Sequence, residues 1–129
     1  MGALLVAAGV LQRNGRIMAY QRPEGKLLAG KWEFPGGKLE EGESPEQALE
    51  RELMEELGVH VRVGKVLDVL RSAGGEKDIL LMFYACQTDE EPRPLEHGVI
   101  RFAEKDELAA LDFAPMDRRF LERGGLSRL

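Results

Sequence analysis

Glu52, Glu55 and Glu56 stand at the i, i+3 and i+4 positions of a segment rich in helix formers, so three carboxylates share one helical face. Such a face suits a hard divalent cation. Mg2+ takes oxygen ligands, keeps several of its waters, and bridges carboxylates to substrate phosphates. Without a cation the like charges oppose the helix by roughly 0.2–0.5 kcal/mol per pair. The plain alternative is a solvated acidic face, which is common. Two neighbouring features argue against it. Leu49, Leu53 and Leu57 form an apolar seam beside the acids, with small Ala48 just above them, which pins the helix to a core. Just ahead, Phe34-Pro35-Gly36-Gly37 predicts a tight turn whose glycines let main-chain groups approach an ion or phosphate closely. The pattern describes a metal–phosphate site.

The elements that must position these residues are also legible. Ser44-Pro45 starts the helix: Ser caps a free amide, Pro fits the first helical position, and Gln47 completes a capping box. Gly58 ends it. Residues 3–11 read as a buried strand, Asn14-Gly15 as a hairpin turn, and residues 16–22 as its partner, with Ile17, Ala19 and Gln21 alternating against Met18, Tyr20 and Arg22. Val59 to Leu70 alternates valines with polar residues, Gly74-Gly75 marks a turn, and Ile79 to Cys86 is an apolar run suited to an interior strand. A charged loop over 90–94 follows, then a short strand over 97–102, a short helix over 105–110, and a terminal helix over 115–123 started by Pro115.

A chain of 129 residues supports one domain, expected to span 1–129. Its net charge of -5 argues against a surface that coats nucleic acid and favours free nucleotides over polymers as partners. Cys86 is the single cysteine, so neither an internal disulfide nor a cysteine zinc site is expected, and its apolar surroundings make it core. The absence of a membrane-length apolar run and of a signal-peptide pattern leads to the expectation of a cytoplasmic protein with no membrane partner. Either a monomer or a homodimer is compatible with the apolar strand edges.

Gly37, five residues, Glu43, seven residues, Arg51-Glu52-Leu53, one residue, Glu55-Glu56, one residue, Gly58-Val59 resembles the Nudix box at every defined position. The resemblance extends over nearly the whole chain. Trp32-Glu33-Phe34-Pro35-Gly36-Gly37-Lys38 is similar to the MutT branch of nucleoside triphosphate pyrophosphohydrolases. It implies an α/β fold, a Nudix-type α/β/α sandwich with a mixed central sheet, and a Mg2+ cofactor with Mn2+ as substitute. It also implies that Glu52, Glu55 and Glu56 are metal ligands, joined by the Gly36 carbonyl oxygen. Arg51 is a candidate catalytic cation, although its helical angle sets it off the acid face and favours a salt bridge with Glu43 or Glu55. Glu43 either reaches the metal through water or pairs with Arg51.

Outside the box, Glu96 lies six residues before Phe102, where MutT relatives place an additional acid before an aromatic. By that match it binds metal or acts as general base; a loop acid on a charged surface is the plain alternative. Phe102 departs from the family, where Trp is frequent, and His97 reads as a bystander. Arg22 resembles a phosphate-contacting arginine, against an ordinary exposed strand end. Phe34, Leu4 and Ala7 are candidates for a base pocket and equally good core. Asp117 aligns with the position from which relatives hydrogen-bond the base. The best-known MutT pattern has Asn there. Asn always offers a donor and an acceptor, whereas Asp donates only when protonated.

The implied reaction is hydrolysis of a nucleoside triphosphate to monophosphate and pyrophosphate. Water attacks the β-phosphorus, the cation lowers its pKa, and Glu56 or Glu96 takes the proton. Other Nudix substrates, ADP-ribose, dinucleoside polyphosphates and coenzyme A, carry downstream markers that Gly74-Gly75-Glu76 lacks. A MutT-like triphosphatase acting on 8-oxo-dGTP or a related nucleotide is favoured, with cytidine nucleotides or a mixture of damaged nucleotides next, and Asp117 in place of Asn leaves the preferred base open. Two readings of other classes stand beside it. One is a nucleotide-sensing Nudix module, disfavoured because every box carboxylate is present. The other is an acidic cation-binding or interaction domain.

Overall fold

Strand β1, Leu4–Arg13, runs through the middle of the protein and sends side chains into two separate cores. Ala7 and Leu11 face one cluster of buried residues; Ala8 and Val10 face the other. The computed structural model describes residues 2–72 and 77–129, so the expected Gly74-Gly75 turn and the Gly74-Gly75-Glu76 stretch lie outside the described residues.

Strand β2, Arg16–Gln21, follows the Asn14-Gly15 turn, in which both residues take positive φ, 51° and 77°. That is the geometry for which Asn-Gly is favoured in tight hairpins. The chain continues through β3 (Trp32–Glu33), β4 (Gly36–Lys38), helix α1 (Pro45–Leu57), β5 (Arg62–Arg71), β6 (Ile79–Gln87), β7 (Val99–Ala103), α2 (Lys105–Ala110) and α3 (Pro115–Glu122). A 3-10 turn covers Gly125–Arg128. β1 lies parallel to β6 from Leu4↔Ile79 to Leu11↔Cys86, and antiparallel to β4; β6 pairs antiparallel with β5. β2 continues the sheet antiparallel to β3 and β7. The central sheet is therefore mixed, as expected. The apolar run of β6 is interior because it is paired on both edges and packed on both faces.

Helix α1 covers one face through Leu49, Leu53 and Leu57, all fully buried. Leu108 of α2, Phe120 of α3 and Leu126 cover the other, where Phe83 and Phe120 stack at 4.2 Å and Phe34 meets Phe83 edge-on at 6.2 Å. This is the α/β/α arrangement.

Two expectations are corrected. The segment 34–37 is not simply a tight turn: after a bend at Pro35 it enters β4, with Gly36 opposite Ala8. A Cβ at Gly36 would collide with the Ala7 carbonyl oxygen, so the two strands close only around a glycine. The strand expected from His97 begins at Val99, because His97 takes a left-handed φ of 65° and turns the chain first. The remaining boundaries shift by up to three residues at the ends of β1, β2, β5, β6 and α3.

Candidate active site

The acid face is delivered by α1, and α1 is built as its sequence predicts. The Ser44 Oγ accepts the Gln47 amide at 3.1 Å, and the Gln47 side chain accepts the Ser44 amide at 2.9 Å. Gly58 adopts a left-handed φ of 68° and donates to the Met54 carbonyl. Burial of each leucine of the seam stabilises the packed helix by roughly 1.5–3 kcal/mol. Repulsion among the acids is roughly 0.2–0.5 kcal/mol per pair. Packing wins, so the carboxylates are held together whether or not they are neutralised.

Arg51 stands beside that face. Its guanidinium grips Glu43 at 2.8 and 2.9 Å, Glu52 at 2.8 Å and the Lys38 carbonyl at 3.0 Å. Glu55 lies 3.5 Å away, one turn along. The fork pulls the Glu43 carboxyl down to about 2, through the Arg51 hydrogen bonds first and the Glu40 amide second. This is the salt-bridge arrangement weighed above: Arg51 ties the loop ahead of α1 to the helix. The Glu52 carboxylate lies over the β4 backbone, so close that a Cβ at Gly37 would stand 2.6 Å from its oxygens.

Glu56 is the strained member of the set. Its Oε2 is buried without a hydrogen-bond partner. Burial first, then the charges of Glu52, Glu33 and Glu96, push its carboxyl up to about 9, opposed by the Gly36 amide. Glu52 is raised in the same direction, by burial first and despite Arg51. Among the described residues no three acids or histidines stand close enough, as placed, to hold an ion together. The donor set nevertheless fits a hard cation, because an orphaned buried carboxyl oxygen beside further carboxylates gains from positive charge. Nudix proteins generally use a divalent metal.

Glu56 and Glu96 both line a cleft of about 860 Å3. That volume lies within the range of small-ligand sites. Glu96 reaches it on the exposed loop before β7, which is tied to the end of α1: the Arg93 and Leu95 amides donate to the Leu57 and Glu56 carbonyls, each at 3.0 Å. The helix C-terminus is thereby capped by the segment that carries Glu96.

The same cleft is lined by apolar Leu4, Val6, Ile79 and Leu81 and by Ala114, Met116 and Asp117 of the α3 start, while Arg22, Lys26, Lys38 and Lys77 supply positive charge. Arg22 lines the cleft but is already engaged, donating to Glu33 at 3.0 Å and to the Leu27 carbonyl at 3.2 Å. Phe34 and Ala7 both line the cleft, while Phe34 is only 3 % exposed and packs most of its ring in the aromatic core. Ala7 is likewise fully buried. Asp117, in the first turn of α3, is 6 % exposed and accepts the Phe34 amide at 3.0 Å. Burial above all, with the Glu33 charge assisting, raises its carboxyl to about 7.

The NUDIX domain profile matches residues 3–124. This chain belongs to the NUDIX family. Its curated relatives include an 8-oxo-dGTP diphosphatase of Proteus vulgaris, 44% identical over 82 residues, covering 63% of this chain and 73% of that protein. A CTP pyrophosphohydrolase of Escherichia coli is 36% identical over 123 residues, covering 95% of this chain and 91% of the relative. Among solved structures, the MutT NUDIX hydrolase from Burkholderia pseudomallei superposes with a TM-score of 0.82 at 27% identity, over 95% of this chain and 98% of that one.

Within this Nudix site one residue escaped sequence reasoning. Glu33 lines the cleft, its carboxyl raised by burial against the opposing pull of Arg22. Glu33 reaches the cleft through its pairing with Tyr20 of β2, and a two-residue strand carries no pattern that announces such a pairing. The loop anchors at Arg93 and Leu95 are backbone bonds and leave no mark on residue type.

Proposed function

We propose that this Nudix hydrolase cleaves nucleoside triphosphates and their deoxy forms to monophosphate and pyrophosphate, in the manner of nucleotide-pool sanitation, with 8-oxo-dGTP or a related damaged nucleotide as substrate. The observation that carries this reading is the Glu56 carboxyl, one oxygen of which is buried without a partner among the described residues, in a cleft that Asp117 also lines. Triphosphate lies along the acids and the base against Asp117. Arg22 and the cleft lysines bind phosphate oxygens. The carboxylates of Glu52, Glu55 and Glu56, with the Gly36 carbonyl, hold Mg2+, or Mn2+ in its place. When bound, the cation lowers the pKa of the attacking water and neutralises charge on the phosphate oxygens. Glu96, an exposed acid lining the same cleft, takes the proton of the water as the β-phosphorus is attacked. Arg51 serves by holding Glu43 and Glu52 in place. The enzyme works on free nucleotides of the cytoplasmic pool. No helix among the described residues is long and apolar enough to cross a membrane.

A cytidine nucleotide is the second reading, favoured by Glu33 lining the same cleft as Asp117: carboxylate oxygens accept hydrogen bonds from an exocyclic amine. A steady-state panel of 8-oxo-dGTP, dGTP, CTP and dCTP, with ADP-ribose as the diphosphate control, separates the readings. ADP-ribose as the preferred substrate would contradict both.

Asp117 makes a further prediction with a defined sign. Its carboxyl is raised from 3.8 to about 7 in the folded protein, so between those values the native state binds more protons than the unfolded chain. Stability is therefore lost as pH rises through this window. Asp117→Asn keeps an acceptor for the Phe34 amide and removes the ionisation. The variant is expected to melt above the wild type at about pH 8, with the gap closing below about pH 4. Wild-type base preference should change between about pH 6 and about pH 8, and the variant's should not. Parallel pH profiles for the two proteins would remove Asp117 from base recognition.

A further inference from the structure

Tyr20 has no part in the roles assigned so far, yet it stands where they meet. On β2 it is opposite Glu33 on one side and Ile100 on the other. It is 5 % exposed and lines the cleft. Burial first, then the charges of Glu56, Glu96 and Glu33, hold its phenol above the ordinary value, so its hydroxyl lies within the field of all three acids. The hydroxyl end of the ring lies against the Gly98 backbone. The fit is close: a Cβ at Gly98 would collide with both the ring carbon bearing the hydroxyl and its oxygen.

Gly98 ends the same loop whose beginning is tied to α1. The Arg93 and Leu95 amides anchor one side of Glu96 to the helix C-terminus, and Gly98 against Tyr20 anchors the other. His97, in the left-handed region at φ 65°, makes the sharp turn between the two anchors. A left-handed backbone at a residue other than glycine persists only where its surroundings fix it. Residue 20 therefore bears on where the Glu96 carboxylate is held relative to Glu56.

We propose that Tyr20 is a positioning residue for the hydrolysis, its hydroxyl and ring packing against the Gly98 backbone and thereby fixing Glu96 beside the cleft. The proposal rests on the role given to Glu96 above. Tyr20→Phe keeps the ring and removes the hydroxyl. We expect kcat to fall about 3- to 10-fold as the loop loses that packing contact, with KM changed by less than about 2-fold. In a Glu96→Gln background, assayed with enzyme in excess, Tyr20→Phe should cause no further loss, because there is no carboxylate left to position.

Hydrogen exchange at the Gly98 amide gives a readout independent of activity and should quicken about 3- to 10-fold in Tyr20→Phe. Unchanged exchange at Gly98, or an equal loss of kcat in the wild-type and Glu96→Gln backgrounds, would overturn the proposal. Should the wild type hydrolyse no nucleotide, the hydrolase reading fails, and Gly98 exchange still decides whether Tyr20 holds the loop.

Discussion

Glu56→Gln is expected to lower kcat about 1,000-fold, equivalent to about 4 kcal/mol of transition-state stabilisation, while KM moves little. Gln is the same size and keeps one oxygen, but it carries no charge for a cation. The buried Glu56 oxygen has no partner among the described residues, and the carboxyl sits near 9 because of burial and three acidic neighbours. In the cation-free protein it therefore holds its proton at neutral pH. Two consequences can be measured without turnover. Stability of the cation-free wild type falls as pH rises from 4.5 toward about 9, since the folded state binds the proton more tightly than the unfolded chain. Glu56→Gln removes this group's share of the slope, leaving that of Asp117, Glu52 and Glu33, and should melt higher than the wild type at about pH 8 in chelator. Mg2+ should raise the wild-type melting temperature, release close to one proton per site near pH 7.5, and do neither in the variant. Calorimetry in buffers of different ionisation enthalpy reads the proton directly. A variant that keeps wild-type turnover would end the assignment.

The second large effect separates two adjacent glycines. Gly36→Ala places a methyl on the Ala7 carbonyl and within 2.9 Å of the Ala8 Cα, and both belong to a strand fixed by parallel pairing with β6. Backbone cannot yield cheaply there, and a loss of about 3 kcal/mol or more is expected, a fall of about 10 °C in melting temperature. Gly37→Ala meets only the end of the Glu52 side chain, which can rotate away. That variant should fold within about 1 kcal/mol of wild type yet lose activity, because Glu52 is displaced from the acid face. Thermal melts beside kcat for the pair test the distinction. Equal melting temperatures would show that the strand accommodates Gly36→Ala.

Much of this architecture is legible in residue order. The capping box at Ser44-Pro45-Glu46-Gln47, the leucine seam and Gly58 specify α1 locally, which is why its bounds and its buried face match the sequence pattern. Asn14-Gly15 specifies its hairpin for the same reason, since backbone preference at two residues decides it. The short strands β3 and β4 are not legible that way. Two or three residues carry no periodicity, and their pairing depends on the Ala7–Ala8 backbone, distant in sequence. Helical angle placed Arg51 off the acid face, and the fork with Glu43 is where its charge goes. The burial that raises Glu56 and Asp117 depends on side chains from several elements, so sequence alone names these acids without showing which of them hold protons.

The most direct test of the central claim is product analysis from a nucleoside triphosphate hydrolysed with Mg2+ in 18O-labelled water. Attack at the β-phosphorus predicts one equivalent each of unlabelled monophosphate and labelled pyrophosphate. Label in the monophosphate would move the attack to the α-phosphorus, and orthophosphate with a nucleoside diphosphate, or no turnover of any triphosphate, would contradict the pyrophosphohydrolase account.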